Sequence, residues 1–286
     1  GSVRASIPIG FESPEDVQLR ARLHSAELGD DRLNLAFRDL NGPLRYSSLK
    51  GLHSAGIVGT FWDDSMAATI VSRQTPKSET APANWLTEIN VKGSSKGAAV
   101  FDWLKIPLRD FVDGEFEYTA KLSLGGGDSQ LRMNTKFEGM SSRLPAPFAK
   151  EADQLMLTEV RMFLDDDPLR LRIQIAEHTK AALVLHKDSP ITGTVSFGAR
   201  QQPSYAKDSI RLIGSIEAFD LASTLEVVEA ISNDDGESGS EGEGQTLPTV
   251  YAQNLLLKKA SAFGNEFNNL TTAVASHGRA WTFAVS

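Results

Sequence analysis

Leu169-Arg170-Leu171-Arg172-Ile173-Gln174-Ile175 is the stretch on which the fold class turns. Every second residue is aliphatic, and the residues between are long and polar. A helix would scatter these side chains around its circumference, whereas a strand sends alternate residues to opposite faces. The stretch therefore reads as a strand with Leu169, Leu171, Ile173 and Ile175 on an apolar face and Arg170, Arg172 and Gln174 on a wet one.

The same period-two rhythm runs through Leu33 to Phe37, Phe61 to Val71, Trp85 to Lys92, Gly114 to Leu124, Gln130 to Phe137, Leu155 to Leu164, Ala181 to His186 and Ile191 to Arg200. It continues in Ile210 to Ile216, Tyr251 to Lys258, Leu270 to Ala275 and Ala280 to Val285. Between these runs lie turn residues such as Trp62-Asp63-Asp64-Ser65, Gly125-Gly126-Gly127-Asp128 and Asp165-Asp166-Asp167-Pro168. Gly and Asp tolerate the left-handed backbone of tight turns, and Pro fixes one dihedral, so the connections read as hairpins and neighbouring strands as antiparallel. Two segments predict helices: Lys96 to Ile106, stopped by Pro107, and Asp220 to Ile231, with Asp220 as the cap and Leu221, Leu225, Val228 and Ile231 as the apolar positions. No strict tandem repeat is present. The expected fold is all-β, mainly antiparallel, with two short helices.

The chain has 286 residues, 41% hydrophobic and 23% charged, the composition of a globular protein large enough for a substantial core. Its formal charge is -8, and five of the acids fall in Asn233 to Gln245, a run of Asp, Glu, Gly and Ser with little to bury, which predicts a loop. Arg73 to Asn84 is a shorter polar excursion of the same kind. No basic run or Arg/Lys-aromatic stripe offers itself to phosphates, so nucleic acid is set aside. There is no cysteine, which removes disulfides and thiolate chemistry. No stretch approaches the roughly 18 to 20 apolar residues of a membrane-spanning helix. The chain opens Gly1-Ser2 without an initiator Met and stops within a strand-like pattern, and it reads as a fragment of a longer protein.

Catalytic motifs are missing: there is no nucleophile elbow, no HExxH, no phosphate loop and no dinucleotide fingerprint. Neither cofactor nor metal is expected. The five histidines, at 24, 53, 178, 186 and 277, are scattered. His178 and His186 would stand about 26 Å apart along one strand at about 3.3 Å per residue, too far for one ion. Asp165 to Asp167 lacks the spacing of a calcium loop and reads as a turn. Paired carboxylates for glycoside hydrolysis are spatial, and no feature of the sequence nominates a pair. The amphipathic strands leave two architectures open. In one, a sandwich packs its apolar faces together; in the other, a curved sheet keeps an apolar face open to acyl chains, which are as good a partner as a leucine.

Glu138-Gly-Met-Ser-Ser-Arg-Leu-Pro-Ala-Pro-Phe-Ala-Lys150 resembles the S-S-x-L-P-x-P-x-x-K junction of the YhdP-type, AsmA-like envelope proteins, with Ser141, Ser142, Leu144, Pro145, Pro147 and Lys150 on its positions. Leu255-Leu-Leu-Lys-Lys-Ala-Ser-Ala-Phe-Gly-Asn-Glu-Phe-Asn-Asn-Leu270, followed by Trp281 to Ser286, is similar to the family's strand, F-G-x-x-F-x-x-L turn and strand. For residues 1 to 95 only the rhythm agrees. The resemblance implies an elongated β-groove, bent like a taco shell, in a periplasmic protein of Gram-negative bacteria held in the inner membrane by an N-terminal helix. It also implies that phospholipid acyl chains are the partner, moved between inner and outer membranes without catalysis; protein partners are unknown. Residues 3–232 and 249–286 would be groove, with 233–248 an acidic loop between. Leu169, Leu171, Ile173, Ile175, Ile210, Leu212 and Ile216 are the candidate lipid-facing residues. The competing expectations are an envelope scaffold with a filled core, binding a protein by strand addition, and a carbohydrate-acting enzyme.

Overall fold

The computed structural model describes residues 4–6, 17–30, 35–75, 85–104, 106, 108–126, 128–187, 189–198, 202–233, 248–277 and 280–285. The acidic stretch expected as a loop lies outside them from Asp234 onward, as does most of the Arg73 to Asn84 excursion.

The chain is all-β and mainly antiparallel, with two short α-helices. In order it forms β1 (Arg4–Ser6), β2 (Gln18–Asp30), β3 (Leu35–Ser47), β4 (Gly51–Phe61), β5 (Asp64–Gln74), β6 (Trp85–Lys96), α1 (Gly97–Leu104), β7 (Val112–Leu124), β8 (Gln130–Thr135), β9 (Met140–Ser142) and β10 (Thr158–Phe163). There follow β11 (Leu169–Ile175), β12 (Thr179–Leu185), β13 (Thr192–Phe197), β14 (Ile210–Asp220), α2 (Leu221–Asn233), β15 (Val250–Ala262), β16 (Asn265–His277) and β17 (Ala280–Val285). These elements divide into two compact units. One comprises Gly1–Ser95, Glu117–Asn134 and Phe163–Asp165; the other comprises Lys96–Phe116, Thr135–Met162 and Asp166–Ser286.

In the first unit β1 pairs with β2, and β2 through β6 follow as an antiparallel meander. The β5–β6 register runs without a break from Met66 opposite Gly93 to Gln74 opposite Trp85. On β5 the alternation is complete: Met66, Ala68, Ile70 and Ser72 are buried, and Ala67, Thr69, Val71 and Arg73 between them are exposed. The Phe61 ring gathers three others, Phe37 at 4.9 Å, Trp62 at 4.3 Å and Tyr118 at 6.3 Å. These rings form an aromatic cluster at the Phe61 end of the meander.

The second unit contains the correction to the expected topology. β11, β12 and β13 form an antiparallel meander and β15, β16 and β17 another, but β14 runs parallel to both β13 and β15. Parallel neighbours need a long crossover in place of a hairpin, and α2 with the residues after it supplies one between β14 and β15. Gly214 makes the β13–β14 approach possible: its φ is +102°, and a Cβ there would lie 2.0 Å from the Phe197 carbonyl oxygen. β7 also pairs antiparallel with β9 through Val112 to Gly114. On β11, Leu169 and Leu171 are buried, Ile173 and Ile175 half-buried, and Arg170, Arg172 and Gln174 exposed. That is the face assignment the alternation predicts.

Both helices fall where their sequence patterns place them, and the predicted cap is present. The Asp220 carboxylate accepts from the backbone N–H groups of Ala222 and Ser223, each at 3.3 Å, and from the Ser223 hydroxyl at 2.5 Å. The Ser223 hydroxyl, and after it that of Ser261, hold the Asp220 carboxyl below its ordinary pKa. The Asp165 to Asp167 stretch is a turn between β10 and β11, and both Asp166 carboxylate oxygens are taken by the Arg170 guanidinium, at 2.7 and 2.6 Å.

Candidate functional site

The second unit encloses an apolar cavity of about 810 Å³. Its floor is built largely by strand alternation, from Leu212 and Ile216 of β14, Leu255 and Leu257 of β15, and Leu270, Thr272 and Val274 of β16, with Ala260 of β15 added off that rhythm. β17 adds Trp281, Phe283 and Val285, every second residue of that strand. Bulges keep the rows facing one way. Asn254 takes a left-handed φ of 55°, and the β15–β16 register shifts between Ala252 and Leu255. An extra residue in one strand reverses its parity, so Ala252 and Leu255 are buried together although they differ by an odd number.

Two further elements border the space. α2 presents Leu221, Thr224, Val227 and Val228, the spacing of one helical face. Leu225, expected on that face, is instead exposed. The second element is the loop of the S-S-x-L-P-x-P-x-x-K stretch, which puts Leu144, Pro145, Ala146, Pro147 and Phe148 on the cavity in succession. Its base is closed by two backbone hydrogen bonds, Ser142 N–H to Lys150 C=O at 2.8 Å and Lys150 N–H to Ser142 C=O at 3.0 Å. Phe148 packs edge-on against Phe197 at 6.1 Å.

Lys150 secures that base from beneath. The residue is only 4% exposed, and its ammonium donates to the carbonyls of Met140 at 2.5 Å and Glu151 at 2.8 Å. Burial pulls its pKa down, against the nearby carboxylates Asp153, Glu138 and Glu151. Ser142 and Lys150 of the motif thus build the clasp, and its apolar residues meet the cavity.

Thr224, Ser261 and Thr272 are the lining residues with polar side chains, apart from the Trp281 indole, and no lining residue carries a charge. The Trp281 N–H is buried without a hydrogen-bond partner among the described residues. At the rim, Phe263 is 89% exposed and Val285 61%, so the cavity opens to water there. This is an uncharged apolar space with a wet mouth. It favours burial of hydrocarbon.

Of the residues expected to face lipid, Ile175, Leu212 and Ile216 line this cavity. Leu169 and Leu171 are buried and Ile173 and Ile210 half-buried, but none of these four is part of its lining. The larger share of the wall comes from β15, β16, β17, α2 and the proline loop. Period-two rows in Leu270 to Val274 and Trp281 to Val285 carried the signal; the bulge at Asn254 hid it in β15.

Among the described residues no helix is long and apolar enough to cross a membrane, and no group of three His, Asp or Glu side chains could hold a metal ion. No curated protein and no solved structure matches the chain. The model of one family, described as YhdP protein, matches residues 1–286, the whole of it. The chain belongs to the YhdP family.

Proposed function

We propose that this chain is a lipid-handling segment of a cell-envelope protein, holding phospholipid acyl chains in the apolar cavity of its second unit while the head groups stay in water. The observation that carries the reading is the cavity itself, about 810 Å³ with no charged lining residue. That volume falls within the range of about 300 to 1,000 Å³ typical of small-molecule sites. Each methylene moved from water into such a space contributes about 0.8 kcal/mol. About ten methylenes then supply roughly 8 kcal/mol, which corresponds to micromolar binding before the costs of association are subtracted.

The mechanism is passive. A wall without a fixed charge grips hydrocarbon by area and has no directional contact to break, so a chain slides along it without a specific capture step. Membership of the YhdP family supports placing the segment in the periplasm, in a protein anchored in the inner membrane that moves phospholipid between the two membranes. Leu169, Leu171, Ile173 and Ile210 extend the proposed apolar path beyond the cavity wall. Native mass spectrometry of the chain purified in a lipid-retaining detergent tests the reading. Bound phospholipid that is displaced by free fatty acid supports it. Protein free of lipid, and unlabelled by a photoreactive fatty acid, overturns it.

A further inference from the structure

Two hairpins of this chain turn on a two-residue loop that begins with an aromatic side chain. Between β4 and β5 the loop is Trp62-Asp63, with Phe61 opposite Asp64. Between β15 and β16 it is Phe263-Gly264, with Ala262 opposite Asn265. All four loop residues have positive φ, 52°, 65°, 52° and 77° in chain order. This is the handedness of the mirror-image hairpin turns, whose first position favours Asn, Asp or Gly because the Cβ of other residues crowds the backbone. An aromatic residue there is held against its local preference, and some other contact must compensate.

For Trp62 the compensation is visible: its ring stacks on Phe61 at 4.3 Å. Phe263 has no such contact. It is 89% exposed, and no ring pairing among the described residues involves it. The turn itself is supported, since the Asn265 side-chain amide donates to the Phe263 carbonyl at 3.2 Å, but the ring stands free on the rim of the apolar cavity. A strained, solvent-exposed aromatic bordering an empty apolar space gains its burial from whatever fills that space. We infer, resting on the lipid reading above, that Phe263 is a ligand-contacting residue whose ring packs on the hydrocarbon chain of the bound lipid and closes the cavity mouth over it.

The inference makes stability and binding move in opposite directions. Phe263→Asn installs the Asn-Gly pair that this turn prefers and removes the exposed ring, while Phe263→Leu keeps an apolar side chain at the rim. The lipid-free Asn variant is expected to melt higher than the wild type, by about 2 to 4 °C. It is expected to retain several-fold less palmitate bearing a photoreactive diazirine, with most of the retention restored in the Leu variant. Wild-type retention by the Asn variant, or a lower melting temperature, overturns the inference while leaving the lipid reading intact. Equal palmitate labelling combined with weaker flotation on dioleoyl phosphatidylcholine vesicles also overturns it, because the hydrocarbon met by Phe263 would then belong to the bilayer. Absence of labelling in the wild type and both variants overturns the inference and the lipid reading together.

Discussion

The β5 row of the first unit and the β15 row of the second start from the same chemistry, small and aliphatic side chains on one face of a long strand, and end differently. Over the first, Phe61 collects Phe37, Trp62 and Tyr118 into a ring cluster. Over the second, Leu255, Leu257 and Ala260 are buried in a cluster with Phe197, Ile216, Ala252 and Val274, and the same residues also line an apolar cavity of about 810 Å³. Even the two aromatic turns follow suit, Trp62 folded down on Phe61 and Phe263 left 89% exposed. The contrast teaches that alternation prepares an apolar face without saying what will cover it. In the second unit the cover is a helix and a proline loop, each anchored by polar groups at its end: Asp220 caps α2, and Lys150 clasps the loop. Both border the cavity, and the space between them is left open.

The largest effects should separate filled from open space. Phe61→Ala is expected to destabilise the chain by about 3 to 5 kcal/mol, and Leu171→Ala, at a residue 2% exposed, by about 2 to 5 kcal/mol, because each leaves a cavity where packing was complete. Leu212→Ser, on the cavity wall, should cost clearly less than either, since Leu212 is only half-buried and packs against the core cluster on one side while bordering the cavity on the other. Retention of lipid per folded molecule should follow the reverse order, unchanged for Phe61→Ala and several-fold lower for Leu212→Ser. Chemical denaturation and fatty-acid cross-linking on the same three variants check this. Destabilisation by Leu212→Ser as large as that by Phe61→Ala would show that the second unit is packed as tightly as the first at this wall.

An alkaline titration sharpens the comparison, because each unit buries one group that disfavours its charged form. In the first, burial and then the charge of Asp64 push the Tyr118 phenol up to about 12 from an ordinary 10.0. Between about pH 10 and 12 the unfolded chain has lost a proton that the folded chain keeps, so stability falls as pH rises. Tyr118→Phe should abolish that fall. In the second unit, burial lowers the Lys150 pKa below 10.5. The unfolded chain then holds the extra proton, and stability rises with pH up to about 10.5. In Lys150→Met the rise should vanish, on top of a constant loss of about 1 to 3 kcal/mol from carbonyls left without donors. Stability curves of the two variants, each subtracted from the wild type, should therefore slope in opposite directions.

How much of this was legible in the sequence depended on where parity is kept. β5 and β11 alternate without interruption, and their buried faces follow directly from the residues. β2, β3 and β4 carry equally good strands, but register shifts fall at Leu23 to Leu28, Arg38 to Arg45 and Ser54 to Ile57, with left-handed φ at Ser25 and Asp39. Each bulge reverses the apolar phase, and a period-two reading loses the strand there. Leu155 to Leu164 shows the opposite error, since only Thr158–Phe163 is strand and Leu155 and Leu157 are exposed outside it. The parallel pairing of β14 was hidden because α2 is short and follows its strand directly, so nothing local marks it as a crossover. The proline loop is the instructive case. Its residues stood out as a motif, but their role depends on a bridge between Ser142 and Lys150 that only the folded chain brings together.

The smallest expected effect concerns the Trp281 indole N–H, a polar atom on the cavity wall that no described residue satisfies. Removing a hydrogen-bond donor that has a buried partner strands that partner and is costly, whereas removing one without a partner relieves an existing penalty. The Trp281 indole N–H is of the second kind, and its ring also supports Phe283, stacked at 6.3 Å. Trp281→Phe keeps an aromatic ring beside Phe283 and discards the N–H, so folding stability should stay within about 1 kcal/mol of the wild type and fall on the stabilising side. In the first unit the Tyr118 hydroxyl is likewise buried without a partner among the described residues, and at neutral pH Tyr118→Phe should be similarly mild. A loss of more than about 2 kcal/mol from Trp281→Phe would mean that the indole N–H does meet an acceptor, and the cavity wall would then be more polar than its side chains indicate.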